Sequence, residues 1–97
     1  MLSKTNVPGP TNILCLDGDG IGPEITLATR SVLMAVDRRF DLNLTFQIAE
    51  IGLNALANSG STFPDSVLAL AKRSDGILIG PVSTNDYPAP SEGGINP

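Results

Sequence analysis

The chain alternates short apolar runs with amphipathic stretches, and this alternation predicts its first elements. The continuous apolar run ILCL at 13–16 predicts a buried strand. A helix is expected next, from Pro23 to about Arg38, because a proline without an N–H is well placed in the first helical turn. Glu24 complements the positive end of the helix dipole, and Arg38 and Arg39 lie at the end that favours cations.

The apolar positions of this helix recur at about one turn, and the face they form is expected to pack on the sheet. Its members are Ile25, Ala28, Val32 and Ala35 or Val36. The next stretch, 42–49, alternates apolar and polar residues, which predicts a half-buried strand near an edge of the sheet. The side chains expected to point one way are those of Leu42, Leu44, Phe46 and Ile48.

A short helical piece over 52–58 should follow and end at Gly60. The sequence Phe-Pro-Asp at 63–65 then opens another helix, which continues through Lys72 and Arg73. Its apolar side consists of Val67, Leu68, Leu70 and Ala71. The run ILI at 77–79 predicts a second continuously apolar, buried strand.

The order strand, helix, strand, helix, strand predicts the α/β class, built from parallel (βα) units. Continuously apolar first and third strands favour a parallel sheet that is covered on both faces, with right-handed crossovers. Residues 81–97 contain four prolines and should form a loop, and 1–11 should form a flexible lead-in. We expect the chain to be an unfinished fragment, because three strands leave both sheet edges open. The alternative is a complete small domain with a mobile tail.

Composition narrows the classes of function. The 97 residues, 41% of them hydrophobic, suffice for one small domain, and no apolar stretch is long enough to span a membrane. A net charge of −4 without a basic cluster argues against nucleic acid as a partner. Without any histidine, the chain cannot form a Ser-His-Asp triad or a His-ligated metal site. The single Cys15 fits a reducing compartment and should be a small core residue without a nucleophilic role.

The glycine-rich turn at 18–22, GDGIG, lies between a predicted strand and a predicted helix. Its spacing is GxGxG and not the GxGxxG of dinucleotide-binding folds, and Glu50 is a weak candidate for holding a ribose. Asp17 and Asp19 would repel a phosphate lying directly on the turn. Spacing alone therefore favours a structural strand-to-helix turn over a phosphate cradle, although both remain open.

The longer string GDGIGPE at 18–24 resembles the N-terminal signature of the β-decarboxylating dehydrogenases. This family includes the 3-isopropylmalate, isocitrate, homoisocitrate and tartrate dehydrogenases. The resemblance continues through LAKRSDGILIG at 70–80, PVST at 81–84 and SEGGINP at 91–97. It covers nearly all of 13–97 and implies the N-terminal part of an isocitrate/isopropylmalate dehydrogenase-like fold.

The resemblance implies a metal-dependent oxidative decarboxylation of a 2-hydroxy acid, with NAD as hydride acceptor and Mg²⁺ or Mn²⁺ stabilising the developing enolate. The first expectation is 3-isopropylmalate as substrate, in leucine biosynthesis, within a cytoplasmic homodimer. The alternatives are isocitrate, homoisocitrate or tartrate, or a non-catalytic nucleotide-binding module if the chain is complete. In this family the catalytic and metal-binding residues lie beyond the equivalent of Pro97, so the isolated chain is expected to be inactive.

Four residues can be carried over from the resemblance. Ile21 matches a position near the adenine of the cofactor, and Glu92 matches an acidic residue near the nicotinamide ribose. Ser91 and Asn96 match the loop that lines the hydroxy-acid pocket. The structural alternatives are a turn residue capping the core for Ile21 and a solvated loop carboxylate for Glu92.

Other residues of the turn and the loop leave alternatives open. Ser83 and Thr84 could bind cofactor or substrate or simply form a turn, and Tyr87 is either a proton donor or an aromatic plug over the open end of the sheet. Asp17 stands where the family often has proline. The segment from Gly80 to Thr84 is more similar to the isocitrate enzymes, which leaves the substrate undecided.

Overall fold

The structure, a computed structural model, describes residues 9–97 and contains the elements in the predicted order. The expected lead-in falls largely on 1–8, which lie outside the described residues, and Thr11 already belongs to the first strand. The strands are β1 (Thr11–Leu16), β2 (Leu44–Ala49) and β3 (Gly76–Ile79). The helices are α1 (Gly22–Phe40), α2 (Gly52–Ser59) and α3 (Asp65–Arg73).

The three strands form one parallel sheet in the order β2-β1-β3, which confirms the predicted α/β class and the edge position of β2. Leu14 in the central strand aligns with Gln47 of β2 and Ile77 of β3. The chain moves from β1 to β2 in one direction and returns past β1 to reach β3. Right-handed crossovers in these opposite directions would put α1 on one face of the sheet and α2 and α3 on the other, and the packing of α3 against Leu14 and Leu16 agrees with this arrangement.

One face of β1 carries the main hydrophobic core. Leu14 and Leu16 are buried with Ile51 and Val67, and the side chains packed around them are Ala49, Phe63, Leu70, Ala71 and Val82. Alternation along the strand directs Cys15 to the opposite face, where its free thiol is fully buried. The prediction that Cys15 is a core residue is therefore confirmed.

The predicted apolar face of α1 is wrong except at Val36, because the helix is rotated about its axis relative to the prediction. Ile25 is 45% exposed and Val32 is 62% exposed, and Ala28 and Ala35 also face outward. The inward positions are the buried Gly22 and Thr26 and the half-buried Leu33 and Val36. The reason is polar: the Thr26 hydroxyl donates a hydrogen bond to Asp17 Oδ1 at 2.5 Å, which fixes the rotation of the helix.

The expectation that β3 is buried on both faces is also wrong. Ile77 is 51% exposed and Ile79 is 57% exposed, whereas Leu78 between them is half-buried. The physical reason is the strand order, which puts β3 at the second edge of the sheet. An apolar run therefore identified the strand but did not report the cover on its outer side.

Three further apolar residues are more exposed than predicted: Leu42, Ile48 and Leu68. Leu42 precedes β2, since the residues on either side of it have left-handed backbones, with φ of 54° at Asp41 and 60° at Asn43. Ile48 lies on the edge strand β2, and Leu68 lies on the outer side of α3. Gly60 ends α2 with a φ of 82°, as predicted.

Residues 81–97 form the expected loop, with two single-turn 3₁₀ helices at Thr84–Asp86 and Pro90–Glu92. The end of the loop is tied to the turn between α2 and α3 by the Thr62 hydroxyl, which donates a hydrogen bond to the Ile95 carbonyl at 2.6 Å. Within residues 9–97, none of the helices has both the length and the apolar character needed to span a bilayer.

Candidate functional site

At the carboxyl ends of β1 and β3 the strand order changes direction, because β1 connects to β2 on one side while β3 pairs on the other. In open α/β sheets, ligands bind in the crevice at such a switch point. Here the turn after β1 and the segment after β3 are in direct contact, since the Asp19 amide donates a hydrogen bond to the Pro81 carbonyl at 2.8 Å. We call these two segments, 17–22 and 80–87, the glycine joint.

Glycines allow the two backbones of the glycine joint to touch. A Cβ on Gly18, where φ is 79°, would overlap the Pro81 carbonyl oxygen. Gly22 and Gly80 both lie directly against the Asp17 carbonyl oxygen, where a side chain would collide. Gly20 has the positive φ expected of a tight turn, 56°. These contacts support the structural-turn interpretation of the GDGIG sequence.

The buried carboxylate of Asp19 joins three segments of the chain. Its Oδ1 accepts a hydrogen bond from the Leu53 amide at 2.8 Å, at the start of α2. Its Oδ2 accepts hydrogen bonds from the Ser83 amide at 3.0 Å and the Tyr87 hydroxyl at 2.5 Å. Only 6% of Asp19 is exposed, so these three donors, and not solvent, stabilise its negative charge.

The hydrogen bonds to Asp19 also determine how this pair ionises. Burial by itself raises the pKa of the Asp19 carboxyl, but the hydrogen bonds from Tyr87, Leu53 and Ser83 outweigh it and leave the pKa below its ordinary value of 3.8. Burial, together with the hydrogen bond to this carboxylate and its negative charge, raises the pKa of Tyr87 well above its ordinary value. At neutral pH the pair is therefore a carboxylate and a neutral phenol.

This arrangement bears on the hypothesis that Tyr87 is a proton donor. A phenol that already donates its proton to a buried carboxylate, and whose pKa is raised, is a poor proton donor toward a substrate. The half-buried ring instead holds residues 83–87 against the glycine turn. The proton-donor hypothesis therefore loses its support, and Tyr87 is an anchor of the loop.

The structure also explains Asp17, the departure from the family pattern. Asp17 Oδ1 accepts a hydrogen bond from Thr26 and forms an ion pair with Arg30 at 3.3 Å, both from α1. The carboxylate thus ties the end of β1 to the helix that follows the turn. Asp17 is paired with Arg30, and the Asp19 carboxylate is directed inward to its three hydrogen-bond donors, so neither carboxylate points at a ligand on the turn.

The four residues inferred from the family resemblance lie on the surface at this end of the molecule. Ile21 is 59% exposed and immediately precedes α1. Ser91 and Glu92 are exposed in the second 3₁₀ helix, and the Glu92 side chain has no hydrogen bond or ion pair within residues 9–97. The Asn96 side chain donates a hydrogen bond to Thr84 Oγ1 at 3.0 Å. No hydrogen bond connects any of these four residues to another.

These positions fit part of a nucleotide cofactor. The exposed Ile21 offers an apolar surface on which an adenine ring could lie, and the unpaired Glu92 carboxylate is an acceptor suited to ribose hydroxyls. A divalent metal does not fit the described part of the chain. From residue 9 onward, no group of three His, Cys, Asp or Glu side chains is arranged to hold one.

Sequence reasoning missed the link between Asp19 and Tyr87. The two residues are 68 positions apart. Asp19 also lies within the GDGIG string, in which the glycines alone predict a tight turn. The sequence likewise predicts Gly52 only as the start of a helix, yet a Cβ there would overlap the Asp19 carboxylate. No local pattern could have identified these contacts, because they depend on how β1 and β3 are paired.

Comparison with known proteins agrees with the fold. A family model described as isocitrate/isopropylmalate dehydrogenase matches residues 12–97. The chain is similar to the 3-isopropylmalate dehydrogenase of Hahella chejuensis, with 46% identity over 70 residues, which are 72% of this chain and 19% of that protein. The corresponding enzyme of Synechococcus elongatus is 45% identical over 67 residues, 69% of this chain and 18% of that protein.

The 3-isopropylmalate dehydrogenase of Colwellia psychrerythraea is 44% identical over 72 residues, 74% of this chain and 20% of that protein. These matches span about a fifth of the length of each curated relative. The family model, by contrast, extends from the start of β1 to the last residue, so it includes both segments of the glycine joint. The chain belongs to the isocitrate/isopropylmalate dehydrogenase family.

Proposed function

We propose that this chain is the N-terminal part of an NAD-dependent dehydrogenase that oxidatively decarboxylates a 2-hydroxy acid, with 3-isopropylmalate as the first candidate substrate. The observation that carries the proposal is the identity of 44–46% to relatives named 3-isopropylmalate dehydrogenase. The parent protein would be a cytoplasmic homodimer in leucine biosynthesis that requires Mg²⁺ or Mn²⁺.

The part assigned to this chain is binding, not chemistry. NAD, when bound, accepts the hydride from the hydroxyl-bearing carbon. Ile21 would support the adenine and Glu92 would accept hydrogen bonds from the nicotinamide ribose, while Ser91 and Asn96 would contact the hydroxy acid. Their exposure at the carboxyl end of the sheet supports this assignment. The metal ligands and proton-transfer groups would come from elsewhere in the protein, because residues 9–97 contain no arrangement for a metal.

The test is a comparison of substrates with the natural protein that carries this segment. NADH formation should be fastest with 3-isopropylmalate, should require Mg²⁺ or Mn²⁺ and should stop when EDTA is added. Isocitrate, homoisocitrate and tartrate are the alternatives, and the segment GPVST at 80–84 favours isocitrate among them. Faster turnover of any of these three would overturn the assignment of 3-isopropylmalate while leaving the reaction class in place.

Three measurements separate this proposal from a non-catalytic nucleotide-binding module. The intact mass of the natural polypeptide should be several times that of the 97 residues, and a mass equal to theirs would favour the module. The 97-residue chain should show no oxidation of any of the four hydroxy acids. Calorimetry with NAD, NADP and AMP should detect no specific binding to the chain alone, and millimolar or tighter binding would support the module.

A further inference from the structure

The loop at 83–96 is held at both ends by polar contacts. At its start, Asp19 accepts hydrogen bonds from the Ser83 amide and the Tyr87 hydroxyl. At its end, the Thr62 hydroxyl donates to the Ile95 carbonyl at 2.6 Å, and within the loop the Asn96 side-chain amide donates to Thr84 Oγ1. Both ends of the loop are thus attached to the body of the fold, although most of its side chains are exposed. The loop contains three of the four proposed ligand-binding residues.

We propose that Asp19 and Tyr87 are a pair of positioning residues: the buried carboxylate fixes the phenol, and the phenol fixes the loop that presents Ser91, Glu92 and Asn96 to the ligands. This inference rests on the proposed function. Neither residue touches the ligand in this account. Each acts through the segment that begins at Ser83.

Three observations carry the inference beyond ordinary packing. Among residues 9–97, Asp19 is buried without a cationic partner, so its hydrogen bonds are what stabilise its charge there. Those bonds come from α2 and from the loop at 83–96, so the carboxylate fixes the loop relative to the body of the fold. Gly52 leaves the necessary space, since a Cβ there would overlap Asp19 Oδ1 and crowd the Tyr87 hydroxyl.

The test is Tyr87→Phe in the natural, full-length protein. Removing the hydroxyl leaves the ring in place but breaks the side-chain bond of the loop to Asp19, while the bonds of Ser83 and Ile95 remain. We expect KM for the hydroxy acid or for NAD to rise about tenfold, the lower end of what one hydrogen bond to a charged group is worth, while kcat changes less than twofold. A purely structural role would lower the melting temperature and leave both KM values unchanged, and that result would overturn the inference.

Thr45→Val is the matched control. Thr45 donates a hydrogen bond of the same length, 2.5 Å, to Asn12 Oδ1 at the opposite end of the sheet. It should leave both KM values within twofold of the wild type. A rise equal to that of Tyr87→Phe would show that any lost side-chain hydrogen bond has this effect, and would overturn the inference.

A second measurement needs neither activity nor a folded variant. The ring-carbon NMR resonance of Tyr87, assigned through its backbone, should show no ionisation near pH 10, where an ordinary tyrosine is half-ionised. Ionisation at the ordinary value would overturn the pairing even if the protein is an active dehydrogenase. Conversely, absence of activity on every hydroxy acid would refute the proposed function while the Tyr87 resonance still reports on the pair.

Discussion

The glycine joint is held together by backbone contacts and hydrogen bonds, whereas the two sheet edges carry exposed apolar side chains. In the glycine joint, backbones touch without side chains between them, and the buried carboxylate of Asp19 is fully supplied with donors. At the edges, apolar side chains are left open, among them Ile48 of β2 and both Ile77 and Ile79 of β3. The same short chain therefore contains one region whose buried polar groups are hydrogen-bonded and another whose apolar side chains are left exposed.

The comparison shows what each kind of residue contributes. Glycine and aspartate, which are usually poor formers of regular structure, determine geometry at the carboxyl end because only they permit the close approach and supply the acceptors. Isoleucine, usually a core residue, identifies strands here without filling a core. Substitutions in the glycine joint should therefore have larger effects than equal changes at the edges.

The largest effect is expected from Gly18→Ala. Its left-handed backbone costs an alanine about 1–2 kcal/mol, and overlap with the Pro81 carbonyl should add about 1–3 kcal/mol. Gly60→Ala is the matched control, because Gly60 has a similar φ of 82° with nothing within 4 Å of a Cβ. Urea unfolding measures both. Equal losses of stability would show that the glycine joint has room to adjust.

The next effect, about 1–3 kcal/mol, concerns the Asp19–Tyr87 pair and depends on pH. The folded-state pKa of Asp19 is lowered, so its stabilisation is complete above the unfolded value of 3.8 and is lost as pH falls below it. The folded-state pKa of Tyr87 is raised, so its stabilisation is complete below 10.0 and is lost as pH rises above it.

The pH dependence is measured by unfolding wild type and two variants across the pH range. The stability advantage of wild type over Asp19→Asn should shrink below about pH 4, and its advantage over Tyr87→Phe should shrink above about pH 10. Advantages that stay constant at both extremes would mean that neither group changes its pKa on folding.

A smaller effect is expected from two threonines of α1. Thr26→Val removes the buried hydrogen bond to Asp17 and should cost about 1 kcal/mol. Thr29→Val removes an exposed bond to the Ile25 carbonyl within the same helix and should be close to neutral. Thermal unfolding of the two variants decides whether the glycine joint extends its influence into α1. A larger loss for Thr29→Val would contradict this.

The smallest effect is expected at the edge strand. Ile77→Thr should change the stability of the 97-residue chain by no more than about 0.5 kcal/mol, because half of the side chain already faces solvent. Leu78→Thr, one residue along and half-buried, should cost about 1 kcal/mol. Denaturant midpoints of the two variants give the comparison. A cost at Ile77 equal to that at Leu78 would remove the distinction between the two sides of β3.

Much of the fold follows from sequence periodicity. The runs at 13–16 and 77–79 and the alternation at 42–49 identified all three strands, since strand period and apolar character are local properties. Burial was less predictable. The inward face of α1 is set by Thr26 and its bond to Asp17, and hydrophobicity cannot report a helix rotation that a hydroxyl determines.

The sequence predicts where the candidate site begins but not the contacts that hold it together. The string GDGIGPE located the turn, and the resemblance gave Ile21 as a cofactor-binding candidate at its exposed edge. The function of Asp19 within that string could not be read from the sequence, because its partners Leu53 and Tyr87 come from distant parts of the chain. Pairing across a sheet has no signature in a single sequence.

The buried thiol of Cys15 is a built-in probe of local opening of the sheet. Cys15 lies in the central strand, hydrogen-bonded on both sides, and none of its surface is exposed. A thiol reagent can reach it only after the structure around β1 opens. Since the chain has no other cysteine, the rate at which a thiol reagent alkylates it reports how often this part of the sheet opens.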